Sequence, residues 1–456
     1  MFSEDHRLKP WETASDMTAK YGKTFLTYFG QFRVLFFQDP VQIRDLLVSR
    51  ASEFSYRGDS FLPSFSAEGG GYSFGIIASD GKPWREMRKW ATQGLRAFGL
   101  TGTSKTVEKV KQEAVAVIQE LDNRSGQVEH EMMRLIQNAV CNVIYSHIFG
   151  HRLEYTDDRF NELMHRTDTF FKRPWAENAI FFALPIVGKF KVSPFVEDMK
   201  SIQSIVKEIL IEEMENVQKD EIDEKNPRSF IDIMVAQDIK PSDENFDSFS
   251  SIMTDMLLAG LETTSTALTW TLIYMCIHPD VQKRCQKEID ETLDRSEFVT
   301  LEHKPKLIYN QAVMMEILRF ITIAPMALWH SNKNDEVVID EYTVPKETLF
   351  TYNIWAVHHN KEYWRDPEVF RPERWIDRET GSIKDHSSHY MPFGTGPRIC
   401  LGESLAKVEY LIFLTTMLQH FKFSFPPGYE VDVRDGPHMV TNMPPNCSIC
   451  IEKRNF

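Results

Sequence analysis

The sequence predicts a mainly α protein with a minor β part: a large helical region beside a small β-sheet region. Apolar residues recur at threes and fours over about 40–332 and again over 402–420. Aromatic and β-branched residues cluster instead at about 24–38, 336–353 and 423–453. No linker, charge block or repeat divides the 456 residues, so 1–456 reads as one intertwined domain.

In chain order, Thr24–Gly30 and Phe32–Gln38 read as short strands. Val41–Ser49, Pro83–Arg96, Lys105–Asn123, Glu129–Ile148 and Asp247–Ile277 carry helical spacing. Glu336–Ile339, Tyr342–Val344 and Leu349–Asn353 form a second strand region. Irregular chain from Asn360 to Pro397 is punctuated by Pro367, Pro372, Pro392 and Pro397. A last helix, Gly402–His420, precedes a β-like tail with paired prolines at 426–427 and 444–445.

Composition excludes more than it identifies. With 52 basic and 66 acidic residues the formal charge is −14, which argues against a nucleic-acid partner. Six cysteines are too few for a disulfide scaffold and suit a reducing environment. No apolar run reaches the roughly 18–20 residues that span a bilayer, and Met1 to Trp11 has no signal-peptide pattern. Cys447 and Cys450 lack a second Cys or His pair, and on a strand they would point to opposite faces, so no metal or redox pair is expected there.

Cys400 stands between a Gly- and Pro-rich loop and the last helix. At a helix N-terminus the orphan amides and the dipole favour a thiolate. Gly394, Gly396 and Gly402 let the backbone turn tightly, Phe393 supplies an aromatic face, and Arg398 supplies a cation for a carboxylate. Phe393, Gly396, Arg398, Cys400 and Gly402 fit Phe-x-x-Gly-x-Arg-x-Cys-x-Gly, and the segment resembles the haem-binding signature of the cytochrome P-450 family.

Other segments agree with that resemblance. Glu316 and Arg319 lie three apart on one helical face, a spacing that more often yields a surface ion pair. The family joins such a pair to an Arg from a Pro-Glu-Arg stretch, here Pro372-Glu373-Arg374. The resemblance thus implies a buried network of Glu316, Arg319 and Arg374 holding the cysteine loop. Ala259-Gly260-Leu261-Glu262-Thr263-Thr264 resembles the oxygen-activation motif, which implies that Thr263 holds oxygen and a water while Glu262 relays protons. Trp84 and Arg88, four apart on one face, resemble the Trp-x-x-x-Arg helix that binds haem propionates; His330 falls where relatives have a His or Arg serving them.

Glu53–Gly58, Gly75–Gly81 and His278–Gln282 resemble the animal microsomal drug- and steroid-metabolising branch. The resemblance implies haem b with Cys400 as axial thiolate to iron. It implies a monooxygenase that inserts one atom of O2 into an apolar small molecule. Electrons would come from NADPH through the diflavin NADPH–cytochrome P-450 reductase, with cytochrome b5 as a second candidate donor. It also implies the cytosolic face of the endoplasmic reticulum membrane, although the chain as given shows neither the branch's N-terminal anchor nor its Pro-rich hinge. The basic helix of Arg85, Arg88, Lys89 and Arg96 suits an acidic flavin domain. Ala179–Val187 suits peripheral membrane contact or, equally, core burial. Pocket candidates are Phe54–Phe74, Met256–Thr264, Ile323–Leu328 and His438–Thr441. The rival readings are a haem-thiolate isomerase or lyase acting on peroxides, and a catalytically inactive helical haem-binding or interaction protein.

Overall fold

The computed structural model describes residues 9–454 apart from 31, 58–74, 99–103, 174–176, 178–180, 182–186, 188–190, 218–221 and 437–439. The chain opens with helix α1 (Pro10–Tyr21), then strands β1 (Thr24–Phe29) and β2 (Phe32–Phe37). Helices follow: α2 (Gly81–Ala97), α3 (Ser104–Asn123), α4 (Met132–Phe149), α5 (Asp158–Lys172), α6 (Pro194–Asn216) and α7 (Phe230–Ala236). Between α3 and α4 lies the short strand β3 (Val128–Glu129). Then come α8 (Phe246–Ile277), α9 (Pro279–Thr292) and α10 (Ile308–Ile321). Strands β4 (His330–Ser331), β5 (Glu336–Ile339), β6 (Tyr342–Pro345) and β7 (Leu349–Tyr352) precede α11 (Ile354–His358). The chain closes with α12 (Glu403–His420), β8 (Phe421–Ser424) and β9 (Ile449–Lys453).

The expected fold class is the observed one, with a few corrections. Val41–Ser49 is not one α-helix: an α turn, Pro40–Arg44, passes into a π turn, Asp45–Ser49. Glu129 belongs to a strand because the far tail reaches back to it, pairing Glu129 with Ile449 and Val128 with Cys450. Cys447 precedes β9 rather than lying on it, so the opposite-face argument does not apply to it. Among the described residues no cluster of His, Cys, Asp or Glu could hold a metal ion. The sheet β1-β2-β7-β4 joins the two ends of the chain, with β2 parallel to β7 and the other pairs antiparallel.

Helix α8 is the axis of the helical region. At 32 residues it runs roughly 48 Å. It is apolar on every side, as a helix surrounded by others must be, and it packs on α4, α6 and α12. Four of its buried hydroxyls donate to carbonyls four residues back: Thr254 to Ser250, Ser265 to Leu261, Thr269 to Ser265 and Thr271 to Ala267. Among the described residues no helix is long and apolar enough to cross a membrane. Most of 179–187 lies outside the described residues. Within it, Phe181 is buried beside Ala14, Phe25 and Phe36, and Val187 packs against the same cluster.

Helix α2 meets α7 through Gly94, where a β-carbon would collide with the ring of Phe230, itself wedged against Trp90 and Phe98. Gly94→Ala should therefore lower the thermal unfolding midpoint, because overpacking of about 1–3 kcal/mol exceeds the roughly 1 kcal/mol of helix propensity gained. Adding Phe230→Leu should recover most of the loss.

Candidate functional site

Two positive-φ glycines, Gly394 at 76° and Gly396 at 75°, fold the cysteine loop back on itself. Gly394 N–H donates to the Met391 carbonyl (3.0 Å) and Cys400 N–H to the Phe393 carbonyl (2.9 Å). A side chain at Gly396 would strike the Leu47 carbonyl, so the loop rests directly on the π turn. Cys400 is the one exposed cysteine of the six, although enough protein stands around it that burial pushes its thiol up. Against that, amides of Gly402 and Glu403, at the start of α12, donate toward the sulfur, and Arg88 is close enough to favour its anion. Arg88 also donates to the Ile399 carbonyl, one residue before the cysteine. Phe393 is partly buried, with Lys407 Nζ 5.2 Å from its ring centroid.

Behind the loop, Glu316, Arg319 and Arg374 form the expected buried network. The carboxylate of Glu316 accepts from Arg319 Nη2 (2.8 Å) and Nε (2.9 Å), Arg374 Nε (3.0 Å), Arg371 N–H (2.9 Å) and Trp375 Nε1 (2.8 Å). Arg374 also pairs with Asp366 and donates to three backbone carbonyls. The Glu316 and Arg319 side chains are 0% exposed, so the pair is not the surface ion pair that its spacing alone would suggest.

The cationic side of the site has more charge than expected. Arg398 donates to the carbonyls of Ser55, Ile76 and Ser79 and to Asp80, with its guanidinium 4.0 Å from the Trp84 ring centroid. A second buried guanidinium, Arg57, lies within the expected pocket stretch Phe54–Phe74 but was not among the expected cofactor-binding residues. It donates to the carbonyls of Ile77, Leu328 and Trp329, while its backbone N–H meets both oxygens of Asp80. Burial pushes Arg57 down to about 10, and burial with the neighbouring Arg57 charge pushes Arg398 down to about 9. Two crowded cations thus stand near the carboxylate of Asp80, which pairs with Arg398, and among the described residues Trp84 Nε1 is buried without an acceptor. Excess positive charge and an orphaned N–H fit a ligand bearing carboxylates, such as haem with its propionates. His330 is buried beside them. Its Nδ1 lies 3.1 Å from the Phe54 carbonyl, and burial and Arg57 hold its ring well below the ordinary range.

On α8, the motif residues point two ways. Glu262 is buried toward α4: Thr266 Oγ1 donates to one carboxyl oxygen (3.0 Å) and Gln137 Nε2 to the other (3.3 Å). Burial, opposed by those two donors, pushes the carboxyl up to about 7. Thr263 instead opens outward, its hydroxyl donating to the Ala259 carbonyl (2.8 Å). Met256, Ala259, Gly260 and Thr263, one stripe at helical spacing, are open along the middle of an otherwise buried helix. Of the pocket candidates, 58–74 and 437–439 lie outside the described residues. In Ile323–Leu328, Ile323 and Pro325 are buried and Leu328 is exposed.

A family model for cytochrome P450 matches residues 2–451. The chain is 31% identical to human cytochrome P450 2U1 over 456 residues, spanning 95% of this chain and 79% of that protein. Mouse cytochrome P450 2U1 is 30% identical, with shares of 96% and 82%. Human cytochrome P450 2C8 is 30% identical, with shares of 94% and 87%.

Replacing Glu316 by Gln would leave two buried guanidiniums short of their anion. Breaking a buried pair in this way costs about 3–5 kcal/mol. Glu316→Gln should unfold at markedly lower denaturant than the parent and lose haem earlier in the same titration.

Proposed function

The chain belongs to the cytochrome P450 family and is a haem-thiolate monooxygenase; from that premise we propose that Cys400 would hold the haem iron through its thiolate and that Thr263 and Glu262 would manage the protons. The observation that carries this reading is the open stripe Met256–Ala259–Gly260–Thr263 along the middle of a helix otherwise open only at its ends, together with the exposed thiol of Cys400. When bound, thiolate-ligated haem iron supplies the reductive cleavage of O2, which the side chains cannot perform.

Each protein group then has a defined task. The Gly402 and Glu403 amides and Arg88 stabilise the Cys400 thiolate against the cost of burying it. Trp84, Arg88, Arg398 and Arg57 supply donors and charge for the two carboxylates of haem b, and Phe393 packs beside the thiolate. His330, kept neutral by burial and by the neighbouring Arg57 charge, stands beside them as a further candidate donor. The Thr263 hydroxyl, donating to Ala259, keeps lone pairs free to accept from a water in the open stripe. Glu262 replenishes protons from a carboxyl that ionises near neutrality.

The substrate in this reading is an apolar organic molecule, seated against Met256, Ala259, Ala327 and Leu328. Electrons come from NADPH through the diflavin reductase, or from cytochrome b5. The support is the exposed basic run Arg85, Lys89 and Arg96 on α2, the helix that also bears Arg88. In this reading the reaction takes place at the cytosolic face of the endoplasmic reticulum membrane, a location supported by the resemblance to microsomal relatives.

Reduced holoprotein under CO should show the red-shifted Soret band of a thiolate complex, and Cys400→Ser should abolish it; a folded, haem-loaded parent without that band would overturn the ligand assignment. Thr263→Ala should raise NADPH consumption per product formed. A general acid delivers only from its protonated form, so product formation should fall as pH rises through about 7, and Glu262→Gln should flatten that profile. Unchanged coupling in the Thr263 variant would remove Thr263 from the proton pathway.

A further inference from the structure

The buried Glu316 network and the cysteine loop are separate hydrogen-bonded systems, and one side chain joins them. His358, at the end of α11, is wholly buried. Its Nε2 accepts the backbone N–H of Met391 (3.1 Å), and its Nδ1 lies 2.9 Å from Thr322 Oγ1. A backbone amide can only donate, so Nε2 is the bare nitrogen and the ring proton sits on Nδ1, aimed at Thr322. Burial, His359 and Arg319 hold the ring well below its ordinary range, which keeps this neutral tautomer. The Thr322 hydroxyl in turn donates to the Arg319 carbonyl (2.7 Å), and Arg319 donates to the carbonyl of His358 (2.8 Å).

The same spot stores backbone strain. Thr322 caps α10 with φ at +51°, a left-handed conformation that β-branched residues rarely adopt. Such strain persists only where the surroundings over-determine it, and His358 supplies one of the constraints. On the other side, Met391 leads straight into the loop: its carbonyl accepts from Gly394, and Phe393 accepts from Cys400. The His358 ring also lies 5.7 Å from that of Tyr390 in a stacked arrangement, next to Met391.

We infer that His358 is a positioning residue for the haem ligand: its neutral ring transmits the rigidity of the Glu316–Arg319 network, through Thr322 and Met391, to the loop that carries Cys400. This rests on Cys400 being the axial ligand. It assigns the ring a directional role, one donor and one acceptor, that an apolar ring of the same size could not fill.

Two substitutions test it. His358→Phe keeps the ring packed on Tyr390 and removes both hydrogen bonds; His358→Gln offers one acceptor and one donor again. In the haem-loaded Phe variant, the reduced CO complex should shift from the red-shifted thiolate band toward the band of a protein that has lost the thiolate. Hydrogen exchange at the Met391 amide should accelerate about tenfold, equivalent to about 1.4 kcal/mol. The Gln variant should recover much of both. The inference is overturned if the Phe variant keeps the parent's band and exchange rate. It falls equally if the Gln variant is no better than the Phe variant, or if neither takes up haem, since the ring would then serve only as packing. A parent protein without the thiolate band would instead remove Cys400 as ligand, a failure distinct from these.

Discussion

The buried carboxylate of Glu316 is the constraint on which the chain leading to the cysteine loop depends. It gathers five donors from α10 and from the irregular chain between α11 and α12, a stretch with little regular structure of its own. A loop of that length would ordinarily drift over the surface. Here the ionic centre and the Trp364, Trp375 and Tyr390 rings packed around it convert it into a fixed support. Buried ion pairs seldom add net stability over apolar packing. What this one provides is direction, because each guanidinium reaches on from Glu316 to several defined carbonyls, Arg319 to two and Arg374 to three.

The cationic centre works by the opposite logic. Arg57 and Arg398 each donate to three backbone carbonyls, and among the described residues the carboxylate that lies near both is that of Asp80. An anionic guest would relieve the repulsion between the two guanidiniums. Stability and cofactor binding are consequently linked: whatever binds the folded state alone strengthens it by mass action. Without the guest, the segments around Ser55, Ile76 and Leu328 are drawn together around charges that repel one another.

How much of this the sequence disclosed depended on whether the information was local. The cysteine signature and the Glu-x-x-Arg pair are fixed-offset patterns and could be read directly. Helix α8 was visible as a helix, but burial on all sides erased the periodicity that would have marked the Met256–Thr263 stripe as the open one. Arg57 gave no local sign, since arginine is a surface residue by default and its burial comes from partners near Leu328. His358 and His359 are adjacent and chemically identical; only contacts to Thr322 and Met391 distinguish them. The strand at Glu129 was read as helix for the same reason, because its partner lies at the far end of the chain. Helix α1, with Pro10 at its start and Lys20 in its last turn, carried local signals that went unread.

The seating of Gly396 on the Leu47 carbonyl has a consequence for biogenesis. The shelf leaves the ribosome early and the loop that rests on it late, and β2 likewise waits for β7 to pair in parallel. Contacts of such long sequence separation form only after costly loop closure. The cradle for the cofactor therefore cannot exist on a nascent chain, however well its helices have formed. Haem can be held only after the cysteine loop has been made and has settled on Leu47, long after that shelf itself was synthesised.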